Sequence, residues 1–164
     1  MLPSISRATA RRGGSPPRVD YRTLADLRHQ IRRFLRSREV AARAAGVEPQ
    51  QYLLLLQVKG LNGQGPATIG ALAERLQIQH HGVVQLVDRL AQRGMVRRRA
   101  GRDRREVVVE LRAAGEAVLE RLALYSVVEL KTEGPALVAS LRRLVMKSTR
   151  EGRPPRNGQK EDTR

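Results

Sequence analysis

Apolar residues recur at three-to-four spacing along most of the chain, and near residue 95 the period shortens to two. The first stretch predicts a helix over 20–45, with Leu24, Leu27, Ile31, Phe34, Leu35, Ala41 and Ala42 along one face and Arg on the others. Gly46 stops it. Glu48-Pro49 opens a second helix, because proline at an early helical position sacrifices no hydrogen bond. Tyr52 to Lys59 are its body and Gly60 its end, followed by a loop over 61–66 rich in turn residues. A third helix starts at about Thr68, with Ile69, Leu72, Ala73 and Leu76 inward. Gln77-Ile78 connects it to a fourth, 79–92, which Gly94 ends. Met95 to Arg99 and Glu106 to Leu111 alternate as two strands, joined by a tip over 100–105. From Gly115 the helical period resumes through Val118, Leu122, Tyr125 and Val128. Gly134-Pro135 interrupts it, and a last short helix is expected over 136–146.

Residues 69–88 fit a helix-turn-helix. Leu72, Leu76, Ile78, Val83 and Leu86 fill its apolar positions, and the small Ala73 stands where the two helices approach most closely. Gln77 occupies the turn position that often carries Gly for a left-handed backbone. A helix-turn-helix followed directly by a hairpin is a winged helix. The expected fold is therefore mostly α with a small β-hairpin wing (α+β), flanked by N- and C-terminal helices.

Charge decides what such a unit is for. The chain has 164 residues and a net charge of +16. Residues 1–19 carry +4 and residues 147–164 carry +3, which leaves +9 for the middle. Both ends, Gly- and Pro-bearing, read as disordered basic tails. From Arg93 to Arg105 there are seven Arg and one Asp, a crowding of like charge that a polyanion makes favourable. An Arg at the hairpin tip is suited to a narrow minor groove, where the negative potential is deepest. Asp103, two residues before Arg105, is placed to hold that guanidinium in a fixed direction.

On a helical wheel Val83, Leu86, Val87 and Leu90 face the core, leaving His81, Gly82, Gln85, Asp88, Arg89 and Gln92 outward. The early part of such a helix reaches base edges in the major groove. Gln85 is suited to adenine, His81 to guanine or phosphate, and Val84 to a thymine methyl. Gly82 lets the backbone approach closely, at about 1 kcal/mol of helix stability. His80 joins the candidate set on the recognition helix. Arg97, Arg98, Arg99, Arg102, Arg104 and Arg105, with Asp103, make up the wing set.

Other classes are disfavoured. The absence of Cys removes disulfides, thiolate metal sites and thiol chemistry. Tyr21, Phe34, Tyr52 and Tyr125 are the only aromatics, too few for a base-stacking RNA sheet, and core packing is the role expected of each. His29, His80 and His81 are not spaced to share a metal, and no phosphate loop or nucleophile elbow appears, so no catalysis, metal or cofactor is expected. Residues 1–17 lack a secretory apolar region, and their Gly-Gly and Pro-Pro pairs would break a transit helix. The longest local apolar run, Leu53 to Leu56, is far short of a membrane span of ~20 residues. A soluble intracellular protein is expected. A basic RNA- or nucleoid-associated winged helix is the alternative to a DNA regulator, since such a fold can read duplex RNA by shape.

Residues 24–146 resemble the MarR family of bacterial transcription regulators. The resemblance rests on Ile69-Gly70-Ala71-Leu72-Ala73-Glu74-Arg75-Leu76, on Leu86-Val87-Asp88-Arg89-Leu90-Ala91-Gln92-Arg93-Gly94-Met95-Val96, and on Asp103, Arg105, Val109 and Leu111 in the wing. It implies a cytoplasmic, nucleoid-associated homodimer that binds a pseudo-palindromic double-stranded operator, usually as a repressor. The recognition helix, 79–92, would lie in the major groove and the wing, 97–106, in the minor groove. Arg105 would be the minor-groove finger, supported by Asp103. The implied organisation is a dimerisation helix at 20–47, a DNA-binding domain at 48–112 and C-terminal dimerisation helices at 113–146. His81, Gly82 and Gln85 stand where many members show Ser, Thr and Arg, so no operator preference carries over. Arg112 replaces a Thr that would cap the next helix. Some members bind aromatic effectors in a crevice beside the dimer helices; a small-molecule effector and its pocket are unknown here.

Overall fold

The computed structural model describes residues 19–103 and 106–150, with side chains through Met146. Five helices and one hairpin follow in order: α1 (Tyr21–Ala44), α2 (Pro49–Leu61), α3 (Ile69–Leu76), α4 (His80–Gln92), β1 (Val96–Ala100), β2 (Val107–Leu111) and α5 (Ala113–Arg150). This is the winged helix expected from the sequence. The two expected tails, 1–19 and 147–164, fall almost wholly outside the described residues, as do Arg104 and Arg105.

Residues 32–134 form one compact unit. Its core is built around α2. Leu54 and Leu55 are fully buried, as are Leu72 of α3, Val83, Val87 and Leu90 of α4, and Ala42 of α1. Val96 of β1, Val109 of β2, and Leu119 and Leu122 of α5 complete it. The first turn of α2 is closed by Gln51, whose side-chain oxygen accepts the Glu48 N–H at 3.1 Å, and Pro49 fills the first helical position.

The turn between α3 and α4 takes the left-handed backbone that its position asks for, without glycine. Gln77 has φ 55° and ψ 40°. Its side-chain amide donates to the Glu74 carbonyl at 2.6 Å, and its N–H caps the same helix end. Such a conformation costs a non-glycine residue about 1–2 kcal/mol. One buried Leu contributes about 1.5–3 kcal/mol, so the α3–α4 packing outweighs the strain.

The hairpin pairs β1 and β2 antiparallel, with Arg97 opposite Glu110 and Arg98 opposite Val109. A further pairing was not legible in the sequence. Thr68 bridges Val108, and the Val109 N–H donates to the Ala67 carbonyl at 2.9 Å. The segment before α3 therefore lies along the outer edge of β2. Thr68 also caps α3, accepting the Ala71 N–H at 3.2 Å.

The root of the wing meets the start of α5. The Arg112 N–H donates to the Met95 carbonyl at 2.9 Å. Gly115 lies so close to that carbonyl that a Cβ there would stand 2.2 Å from its oxygen. With no hydroxyl cap from Arg112, this close approach is what seats the helix.

Two expectations about α5 are corrected. It is one continuous helix rather than two, with Pro135 inside it. Proline excludes the preceding residue from helical angles largely through that residue's Cβ, and Gly134 has none. The carbonyl that loses its N–H partner belongs to the exposed Lys131, where water can satisfy it. Tyr125, expected to pack in the core, is the second. Leu119 and Leu122 are buried, whereas Tyr125 is 43% and Val128 64% exposed. Tyr21 is exposed too, so of the aromatics only Tyr52 is fully in the core, with Phe34 half-buried.

Within the same unit Arg38 ties α1 to α5. It donates to the Phe34 carbonyl (2.7 Å) and the Ser126 carbonyl (3.3 Å) and pairs with Glu129 at 3.3 Å. Ser37 and Tyr125 also donate to Glu129. Arg33 pairs with Glu133 one turn away.

Residues 19–31 and 135–146 are the side-chain-described part of a second unit. There Asp20 starts α1, its carboxylate accepting from the Thr23 N–H at 3.1 Å and the Thr23 hydroxyl at 2.9 Å.

Gly115→Ala should destabilise the fold by about 1–3 kcal/mol, since the methyl must push the wing root away from α5. Denaturant unfolding measures it, and a midpoint equal to wild type would show that the contact does not constrain the helix.

Candidate nucleic-acid interface

The inner face of α4 is pinned by Val83, Val87 and Leu90, so its outer face is fixed in direction. His81, Gln85 and Arg89 are exposed on it, His80 is exposed at the first residue of the helix, and Gly82 and Val84 are half-buried. All six candidate residues of the recognition helix thus belong to one element, with four of them open to solvent. A Cβ at Gly82 would meet only the Ile78 Cδ1, at 3.7 Å, which is ordinary contact. Among the described residues, no neighbour requires glycine there.

The structure redistributes the charge of the wing. Alternation along β1 sends Arg97 and Arg99 to one face and Arg98 to the other. Arg97 pairs with Glu110 at 2.7 Å, and Arg99 pairs with the same carboxylate at 2.8 Å. Arg98 turns to α4, where it pairs with Asp88 at 2.6 Å. Arg93 belongs to neither set. It donates to the Gly46 carbonyl at 2.7 Å and to Gln51 at 3.2 Å, stapling the end of α4 to the α1–α2 turn. Four of the seven arginines in this stretch, Arg93, Arg97, Arg98 and Arg99, thus find partners inside the protein. Among the described residues, no acid pairs with Arg89 or Arg102.

The tip is closed by its backbone. The Gly101 N–H donates to the Glu106 carbonyl at 2.8 Å, and the Glu106 N–H to the Asp103 carbonyl at 2.9 Å. Arg102 and Asp103 are exposed there. The proposed finger Arg105, with Arg104, lies outside the described residues.

Three residues that shape this surface stand outside the expected site set: Arg93, Asp88 and Glu110. Glu110 stands opposite Arg97 only in the observed register, with Ala100 opposite Val107; a tip over 100–105 would have set Val108 there. Asp88 and Arg93 find partners on other elements, and no spacing rule reports that. The two arginines hold the Glu110 carboxyl below its ordinary range, first through the hydrogen bond from Arg97 and then through the charges of both.

Residues 45–106 match the profile of the MarR family. Over this segment the chain is similar to the MarR family. Solved structures agree on the fold. MarR of E. coli, in its apo form, is 21% identical with a TM-score of 0.58, covering 81% of this chain and 98% of its own. The M. tuberculosis transcriptional regulator MOSR, solved in complex with DNA, is 21% identical with a TM-score of 0.53, covering 77% and 96%. BpsR of Bordetella bronchiseptica is 20% identical with a TM-score of 0.57, covering 78% and 98%. No curated protein matches the chain by sequence. Among the described residues, no helix is long and apolar enough to cross a membrane. The matched segment spans α2, α3, α4, β1 and the hairpin tip, the elements that carry the surface described above.

Because its folded pKa is lowered, Glu110 supports the wing above its ordinary range and loses both arginines as pH falls through the folded value. Arg97→Ala should move its titration upward, toward the ordinary carboxylate value. Carboxyl carbon shifts followed by NMR against pH measure this, and an unmoved titration would show that Arg97 does not set it.

Proposed function

We propose that the chain is a sequence-specific regulator of transcription that binds double-stranded DNA, as a homodimer and a repressor. The observation that carries this reading is the juxtaposition of two features on the segment similar to the MarR family. One is a solvent-open polar helix face, His81, Gln85 and Arg89, with His80 exposed at the first residue of the helix; the other is a cationic hairpin beside it. In this reading α4 enters the major groove and the wing, 97–106, the minor groove, with Arg105 as the finger and Asp103 as its support. Arg89 and Arg102 supply phosphate contacts, and the Arg97–Glu110–Arg99 group adds one net positive charge to the field.

The partner copy is supported by apolar surface that the chain leaves open. Leu24 and Leu35 of α1 are exposed, and so are Leu124, Val127, Val128, Leu141 and Val145 of α5. Apolar periodicity without cover is what an interface between identical chains requires. A dimer has two recognition helices, so its site is a pseudo-palindrome. The setting that goes with this reading is the cytoplasm of a bacterium, on the nucleoid. DNA binding by BpsR of B. bronchiseptica is regulated by 6-hydroxynicotinic acid; we assign no effector to this chain.

Enrichment of bound duplexes from a random DNA pool tests the proposal. A palindromic consensus is expected, with affinity falling steeply as salt rises. RNA duplexes of equal length that compete as well as DNA would favour the RNA- or nucleoid-associated alternative. Against the enriched duplex, Gln85→Ala should change the base preferred at one position of each half-site. A uniform loss across all sequences would reduce Gln85 to a phosphate contact.

A further inference from the structure

We infer that Arg98 is a positioning residue for DNA recognition, not a DNA contact: it fixes the wing to the reading turn of α4 and cancels the Asp88 carboxylate on that helix. The inference rests on the DNA-binding reading above. Of the three consecutive arginines of β1, Arg98 alone faces α4, because alternation sends Arg97 and Arg99 to Glu110. One guanidinium nitrogen is 2.6 Å from the Asp88 carboxylate, and the other donates to the Val84 carbonyl at 3.3 Å. Residues 84 and 88 are one helical turn apart, and Gln85 lies on the turn between them. The fork thus spans the stretch of α4 that presents Gln85, and the rigid planar head sets the wing against it.

Asp88 gives the pair a second consequence. It is the one acid of α4, on a helix otherwise suited to a polyanion. Its side chain is 45% exposed and that of Arg98 is 38% exposed, so in the free protein the pair contributes little to stability. Against DNA the balance differs. An uncancelled carboxylate beside phosphates repels them in a space from which water is being excluded. Arg98 therefore removes an obstacle and aligns two elements without spending its charge on a phosphate.

Exchanging the charges separates this from direct contact. The probes are a duplex enriched by the wild-type chain and a scrambled duplex of equal length. Arg98→Asp puts two acids side by side and should weaken binding to the enriched duplex at least about tenfold. Asp88→Arg combined with Arg98→Asp restores an opposite-charge pair across the same gap. It should recover affinity to within about threefold of wild type, with the wild-type salt slope. Poorer recovery overturns the inference, because it means that DNA needs a cation at position 98 itself. A harmless Arg98→Asp overturns it as well. Should Arg98→Asp fail to fold, the exchanged pair is still decided by the threefold criterion. A wild-type chain that binds both duplexes alike overturns the DNA reading and the inference with it. A preference that survives in wild type while the exchange fails overturns the inference alone.

Discussion

Burial of α2 is the constraint on which the rest of this structure depends. Its Leu54 and Leu55 have no exposure, and the helix packs on α3, α4 and β2. One central apolar rod thus fixes the scaffold of the helix-turn-helix and the strand that carries the wing. Interiors packed to this density transmit displacement rather than absorb it, so shifting α2 would move the recognition helix and the hairpin together. The left-handed turn at Gln77 persists for this reason: local strain is small beside the packing it permits.

Electrostatics then refines a geometry that packing has set. The wing is cationic in sequence, yet most of its described arginines are engaged before any ligand arrives. Glu110 takes two of them, Asp88 one, and Arg93 leaves the wing altogether for the α1–α2 turn. These pairs are exposed or half-exposed, so they say little about stability. What they do is hold long, flexible side chains in fixed directions. A surface whose cations are pre-oriented forfeits less conformational freedom when it meets a polyanion.

Much of this was legible from residue spacing. The three-to-four periods located α1 to α4, and the change of period located the hairpin within a residue or two. The polar face of α4 followed from the same wheel that placed Val83, Val87 and Leu90 inside. The break expected at Gly134-Pro135 did not occur: Gly134 has no Cβ to meet the proline ring, and the carbonyl left without a donor, at the exposed Lys131, is open to water. Residue counting treats the pair as two breakers, while sterically the first relieves the second. The apolar residues of α1 and α5 follow a helical period, which by itself does not say what covers them. Leu24, Leu35, Val128 and their neighbours are exposed in the single chain.

What the sequence determined by itself was the order of elements, the helix-turn-helix with its wing, and the excess of positive charge around residue 100. Those follow from local propensity and from period, which neighbours along the chain are enough to express. Only the tertiary structure decided which arginine answers which acid, why Gly115 must be glycine, and that residues 67 and 68 lie along β2. Each of these joins groups far apart in sequence, and their meeting depends on how α2 brings the elements together. Local pattern carries no trace of that distance.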